Sequence, residues 1–182
     1  QQNPEASTGL ASITKIMTSY IVADYLKQGF LNIKDSTTVS EKCWRMEGSR
    51  MFIQEGKKVL IEDLMRGMII QSGNDAACAL AEHIAGTQED FASLMNDYAQ
   101  KMELKNTNFT NPTGLPNVNH YSTAEDIAKL SIVLINDFPD EYSIYNEKEF
   151  TYNDIRQLNR NSLLWQDDSI DGIKTGHTRA SG

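Results

Sequence analysis

The sequence predicts an α+β domain on three observations: apolar residues recur at helical spacing in five stretches, two short segments carry strand patterning, and glycine-, asparagine- and proline-containing loops separate them. At 182 residues and 40% hydrophobic content, without a repeat period or a low-complexity tract, the chain can bury a core as one unit over 1–182.

The first helix is predicted over 11–28, where Ile13, Ile16, Met17, Tyr20 and Ile21 supply a face to bury. Helices over 60–71 and 74–85 follow, with Gly86 as a C-terminal stop. Thr87 with Asp90 reads as the cap of a helix over 88–102, whose stripe is Phe91, Leu94, Met95, Tyr98 and Met102. Residues 111–116, Asn-Pro-Thr-Gly-Leu-Pro, form a loop. Ser122 with Glu125 fits a capping box for a helix over 123–136, which buries Ile127, Leu130, Ser131 and Leu134. The segments 147–152 and 172–178 read as strands.

A net charge of −8 disfavours nucleic acid and anionic membrane as partners. No apolar run approaches the ~20 residues of a membrane span, and no signal-peptide pattern is present. Cys43 and Cys78 allow at most one disulfide; Cys78, on the apolar face after Ala76 and Ala77, is expected to be a small buried thiol. His83, His120 and His177 lack ligand partners at metal-binding spacing, so neither metal nor other cofactor is expected.

Chemistry concentrates in three short segments: Ser12-Ile13-Thr14-Lys15, Ser72-Gly73-Asn74 and Lys174-Thr175-Gly176. Each alone is a common pattern. Together, with the three segments opening at positions 12, 72 and 174, they resemble the motif set of a serine acyltransferase, with Gly73 where that set has Asp. Residues three apart share a helix face, so Lys15 reaches the Ser12 hydroxyl. A serine needs a base, and a lysine serves only when its surroundings hold it neutral. Burial and a second cation, Lys174, both push that way. Ser72 can relay a proton to the leaving group, and the Asn74 amide offers a donor and an acceptor to a substrate amide. Lys15, Lys174, Arg160 and His177 make a basic cleft in an acidic chain, suited to a small anionic ligand.

These motifs, with Met17-Thr18-Ser19-Tyr20, Gln71 to Ala76, Leu104-Lys105-Asn106-Thr107, Tyr142 to Tyr145, Gln157 to Asn161 and Asp171 to Thr178, resemble the serine-type D-alanyl-D-alanine carboxypeptidases, the low-molecular-mass penicillin-binding proteins. The resemblance covers nearly the whole chain. It implies a β-lactamase/transpeptidase-like fold, a helical cluster on an antiparallel sheet. It further implies that Ser12 is acylated by peptidoglycan pentapeptide stems, that Lys15 is its base, and that Ser72 and Asn74 complete the relay and substrate grip. Lys174, Thr175 and Gly176 would hold the terminal carboxylate with Arg160 nearby, and the backbone N–H groups of Ser12 and His177 would form the oxyanion hole. β-Lactams would be covalent inhibitors, and the location periplasmic or otherwise extracytoplasmic.

A class A β-lactamase also needs a deacylating glutamate. Glu149-x-x-x-Asn153 has that pattern but lies only 25 residues before Lys174 and within a predicted strand, so it is set aside. The resembled fold has strands before its nucleophile and after Lys-Thr-Gly, whereas here 11 residues precede Ser12 and six follow Gly176. The expectation is a truncated catalytic domain, with any inner-membrane association through segments not in this chain. The alternative to an active carboxypeptidase is therefore a catalytically silent piece that at most binds muropeptide or β-lactam.

Overall fold

The computed structural model describes residues 4–177 and shows an α+β fold. A 3-10 turn, Ala11–Thr14, leads directly into α1, Lys15–Lys27. Its first nine residues, Lys15 to Ala23, are all buried. A helix enclosed on every side needs to be apolar or internally satisfied all round, and this one is. It runs through the middle of the cluster, packed by α3 (Ile61–Ile69), α4 (Asn74–Ala85), α5 (Gln88–Lys101) and α6 (Ala124–Asp137). One contiguous core joins them, with Ile16, Met17, Ile21, Leu64, Met68, Leu80, Phe91 and Leu130 all 0% exposed.

The predicted helices stand within a few residues of their expected limits, and 74–85 matches Asn74–Ala85. Thr87 caps α5 by accepting the Asp90 N–H, and Gly86 ends α4 with φ +84°, in the left-handed region that suits glycine. At α6 the cap is Thr123, which accepts the Asp126 N–H, rather than Ser122. Ser122 instead bonds Thr107 through its hydroxyl and pairs with Thr8 as an isolated bridge.

Among the described residues the strands form two small antiparallel ladders instead of one sheet. β1 (Ser36–Thr38) pairs with β2 (Lys58–Leu60) in the register Thr37 to Val59. β3 (Glu149–Tyr152) pairs with β4 (Ile155–Leu158) in the register Phe150 to Gln157, turning at Asn153 and Asp154, both at positive φ as a two-residue primed turn requires. The short helices α2 (Glu41–Trp44) and α7 (Pro139–Tyr142) complete the set. The strand expected over 172–178 is not formed: residues 172–177 are irregular, and Thr178 lies outside the described residues.

The cysteines also depart from expectation. Cys43 and Cys78 are joined in a disulfide with Cα atoms 5.3 Å apart, tying α2 to α4. Cys78 is indeed fully buried, but as half of a bridge. No helix among the described residues is long and apolar enough to cross a membrane.

Candidate active site

Lys15 is fully buried where the 3-10 turn becomes α1. Its Nζ lies 3.0 Å from Ser12 Oγ, 2.7 Å from Asn74 Oδ1 and 2.7 Å from the Thr113 carbonyl oxygen. Three acceptors thus surround one amine. Burial holds Lys15 well below the ordinary lysine range, the Lys174 charge pushes the same way, and the buried Asp75 opposes both. Ser12 is half-buried at the mouth of the resulting cleft.

Asn74 opens α4, and its amide is directed inward. Besides accepting from Lys15, it donates through Nδ2 to the Glu47 carbonyl at 2.6 Å, while its backbone N–H donates to Ser49 O at 2.7 Å. The carboxylate of the next residue, Asp75, accepts the N–H groups of Met51, Phe52 and Ile53. Segment 47–53 is thereby fixed as one wall of the cleft. In this structure the Asn74 amide thus bonds Lys15 and the Glu47 carbonyl at once.

Ser72 is buried with φ +65°, a strained conformation for a non-glycine residue and one that recurs at functional sites. Between Ser72 and Asn74 a side chain would be crowded. A Cβ on Gly73 would lie 2.9 Å from Asp75 Oδ1, 3.1 Å from the Gly67 carbonyl and 3.2 Å from Met51 N.

The third segment approaches from the C-terminal side. Lys174 is 7% exposed, and burial, followed by the Arg160 charge, brings it down to about 8. Its Nζ donates to the Thr175 carbonyl at 3.0 Å. Gly176 lies against the nucleophile turn, since an added Cβ would sit 3.2 Å from Ser12 N and 3.1 Å from Ile13 N. Arg160 is anchored by its backbone N–H to Ile70 O at 3.2 Å, two residues before Ser72. Buried Asn161 donates to the Gly172 carbonyl, holding the 157–161 segment beside the one bearing Lys174.

These residues enclose a cavity of about 320 Å³ lined by Ser12, Ser72, Arg160, Thr175, Gly176 and His177, with Ser49 at its wall. A second lobe of about 160 Å³ continues past Ser12 between Gly48, Asn74 and the 113–115 loop. The nucleophile candidate stands where the lobes meet. A larger groove of about 750 Å³ lies at the opposite end of α1, between Leu26 and Glu141, and contains none of this chemistry. Among the described residues, the three-membered grouping of metal-type side chains is Cys43, Cys78 and Glu82, none of which lines these lobes and whose sulfurs are already bonded to each other.

All nine residues expected at the site therefore converge. Four contributors were not foreseen: the Thr113 carbonyl, the Asp75 carboxylate, Ser49, and His120, whose ring bonds Thr14 beside Lys15. Backbone carbonyls carry no sequence signal. Asn111-Pro112-Thr113-Gly114 announced only a turn.

The profile of the family described as D-alanyl-D-alanine carboxypeptidase matches residues 1–182. The D-alanyl-D-alanine carboxypeptidase DacA of Haemophilus influenzae is 48% identical over 99% of this chain and 47% of its own length. Among solved structures, penicillin binding protein 5 from Haemophilus influenzae superposes with a TM-score of 0.93 at 49% identity, over 97% of this chain and 52% of that one. A penicillin-binding protein from Listeria monocytogenes, in an ampicillin-bound form, gives 0.88 at 27% identity, over 100% and 74%. The chain spans about half the length of the curated relatives it matches.

Proposed function

We propose that this chain, which belongs to the D-alanyl-D-alanine carboxypeptidase family, carries the acylating centre of an enzyme that removes the terminal D-alanine from peptidoglycan stem peptides. The observation that carries the reading is the buried Lys15 amine at 3.0 Å from the Ser12 hydroxyl, beside a cleft that Arg160 lines.

In this mechanism the neutral amine uses its two N–H groups for Asn74 Oδ1 and the Thr113 carbonyl, and its lone pair accepts the Ser12 proton. Ser12 Oγ attacks the carbonyl carbon of the penultimate D-alanine. The developing oxyanion is met by the N–H groups of Ser12 and His177, each such donor contributing about 3 kcal/mol. Collapse breaks the peptide bond, and the proton held on Lys15 passes through Ser72 to the departing amine. Water, losing a proton to Lys15, then cleaves the ester, and Lys15 returns that proton to the departing Ser12 oxygen. Arg160 and Thr175, which line the larger lobe, hold the terminal carboxylate, with the Lys174 charge behind them.

The same attack on a β-lactam carbonyl would leave a slowly hydrolysed ester, making these compounds inhibitors. Glu149 supplies no deacylating base, being on β3 and ion-paired with Arg156. A peptidoglycan substrate places the protein outside the cytoplasmic membrane. The test is release of free D-alanine from a peptide ending in D-Ala-D-Ala. Release that disappears in Lys15→Met supports the reading; no release from a folded chain rejects it.

A further inference from the structure

Ala11, Thr14, Lys15 and Thr18 share one face of the Ser12 turn and α1. The loop at 110–114 lies along all four. Gly114 rests on the Ala11 carbonyl, the Thr113 carbonyl accepts from Lys15 at 2.7 Å, and the Pro112 carbonyl accepts from the Thr18 hydroxyl at 2.8 Å. Asn111 Oδ1 stiffens the loop from inside by accepting the N–H groups of Thr113 and Gly114.

The start of the loop reaches the helix through His120. This ring is 4% exposed; its Nδ1 lies 3.0 Å from Thr110 N, and its Nε2 lies 2.7 Å from Thr14 Oγ1. A backbone N–H can only donate, so Nδ1 is the acceptor and the neutral ring carries its proton on Nε2, donating to Thr14. Burial brings the ring down to about 4, which keeps this arrangement through neutral pH. Phe109 packs against it in a T-shaped arrangement with ring centroids 5.8 Å apart.

We propose that His120 is a positioning residue for Lys15: by bridging Thr110 and Thr14 it clamps the 110–114 loop onto the Ser12 helix, so that the Thr113 carbonyl keeps the Lys15 amine aimed at Ser12 and shielded from water. The inference rests on Lys15 being the base for Ser12. Without the imidazole, the loop loses its hinge-side tether and water reaches the amine. Since burial is the largest influence on Lys15, ahead of the charges of Lys174 and Asp75, its proton affinity then rises.

Side-chain NMR of nitrogen-15 lysine in the whole chain follows the Lys15 titration with or without turnover. His120→Ala is expected to raise it towards the ordinary lysine range, which leaves less free amine at neutral pH and slows penicillin acylation by up to about tenfold. His120→Gln, which retains a donor and an acceptor, recovers part of both. His83→Ala, at an exposed position of α4, changes neither. An unmoved Lys15 titration in folded His120→Ala overturns the proposal; should that variant not fold, a wild-type titration in His120→Asn, which can keep only one of the two bonds, overturns it equally. Failure of the functional reading looks different: the unsubstituted chain would not be acylated, while the titration would still decide the clamp.

Discussion

Replacing Gly114 with alanine places a methyl carbon 1.7 Å from the Ala11 carbonyl oxygen, 2.3 Å from its carbon and 2.9 Å from Thr14 Oγ1. Two costs add. The residue sits at φ +85°, which a side chain tolerates at a penalty of about 1 kcal/mol. The clash is with backbone and is relieved only by lifting the loop, an overpacking cost of about 1–3 kcal/mol. Gly29 separates the two, because it has φ +76° with open space around it. Gly29→Ala is expected to lose about 1 kcal/mol and Gly114→Ala about 2–4 kcal/mol in urea unfolding. Only the latter moves the Thr113 carbonyl from Lys15, so it alone slows acylation by a fluorescent penicillin. Equal stability losses and equal acylation rates for the two variants would refute the contention that the loop is seated on the nucleophile turn.

Two further outcomes follow from buried groups. The Cys43–Cys78 bridge closes a loop of sequence separation 35, for which chain-entropy arguments give about 4 kcal/mol; a double serine variant should unfold at correspondingly lower urea, and a reductant should shift the unsubstituted chain but not the variant. An unchanged midpoint would show the bridge to be without effect. Lys174 is brought down to about 8, so between about pH 8 and 10 the unfolded chain binds a proton that the folded chain has released, and stability rises with pH in that window by about 2–3 kcal/mol. Lys15 acts in the same direction. Lys174→Met should flatten much of the slope in urea midpoints, and an identical slope would contradict the burial of that amine.

The long helices were legible from apolar periodicity, and several also carry a chemical end signal, as Thr87 and Gly86 show at the α4–α5 junction. β1 and β2 were not, since three-residue strands such as Ser36-Thr37-Thr38 offer one alternation and no more. β4 could have been found: Asn153-Asp154 is a two-residue turn signal, and the strand before it was anticipated. The cap of α6 slipped by one residue because Ser122 and Thr123 are chemically equivalent candidates, and tertiary pairing of Ser122 with Thr8 and Thr107 decides between them. The disulfide depends on α2 lying over α4, a contact that no local pattern encodes. At the site, motifs pointed to Ser12, Lys15, Ser72, Asn74 and Lys174, whereas the side chains of Ser49, Asp75 and His120 belong to no motif and are brought there by the fold. The carbonyls of Thr113 and Glu47 were not legible, because every residue has one and only the fold selects which is used.

The pairing of Ser12 with Lys15 is tested most directly by fluorescent penicillin labelling with intact mass, on the unsubstituted chain and on Ser12→Ala. The predicted result is a single covalent adduct mapped to Ser12 and absent from the variant. An adduct that persists in Ser12→Ala, or none on a chain shown to be folded, would contradict it.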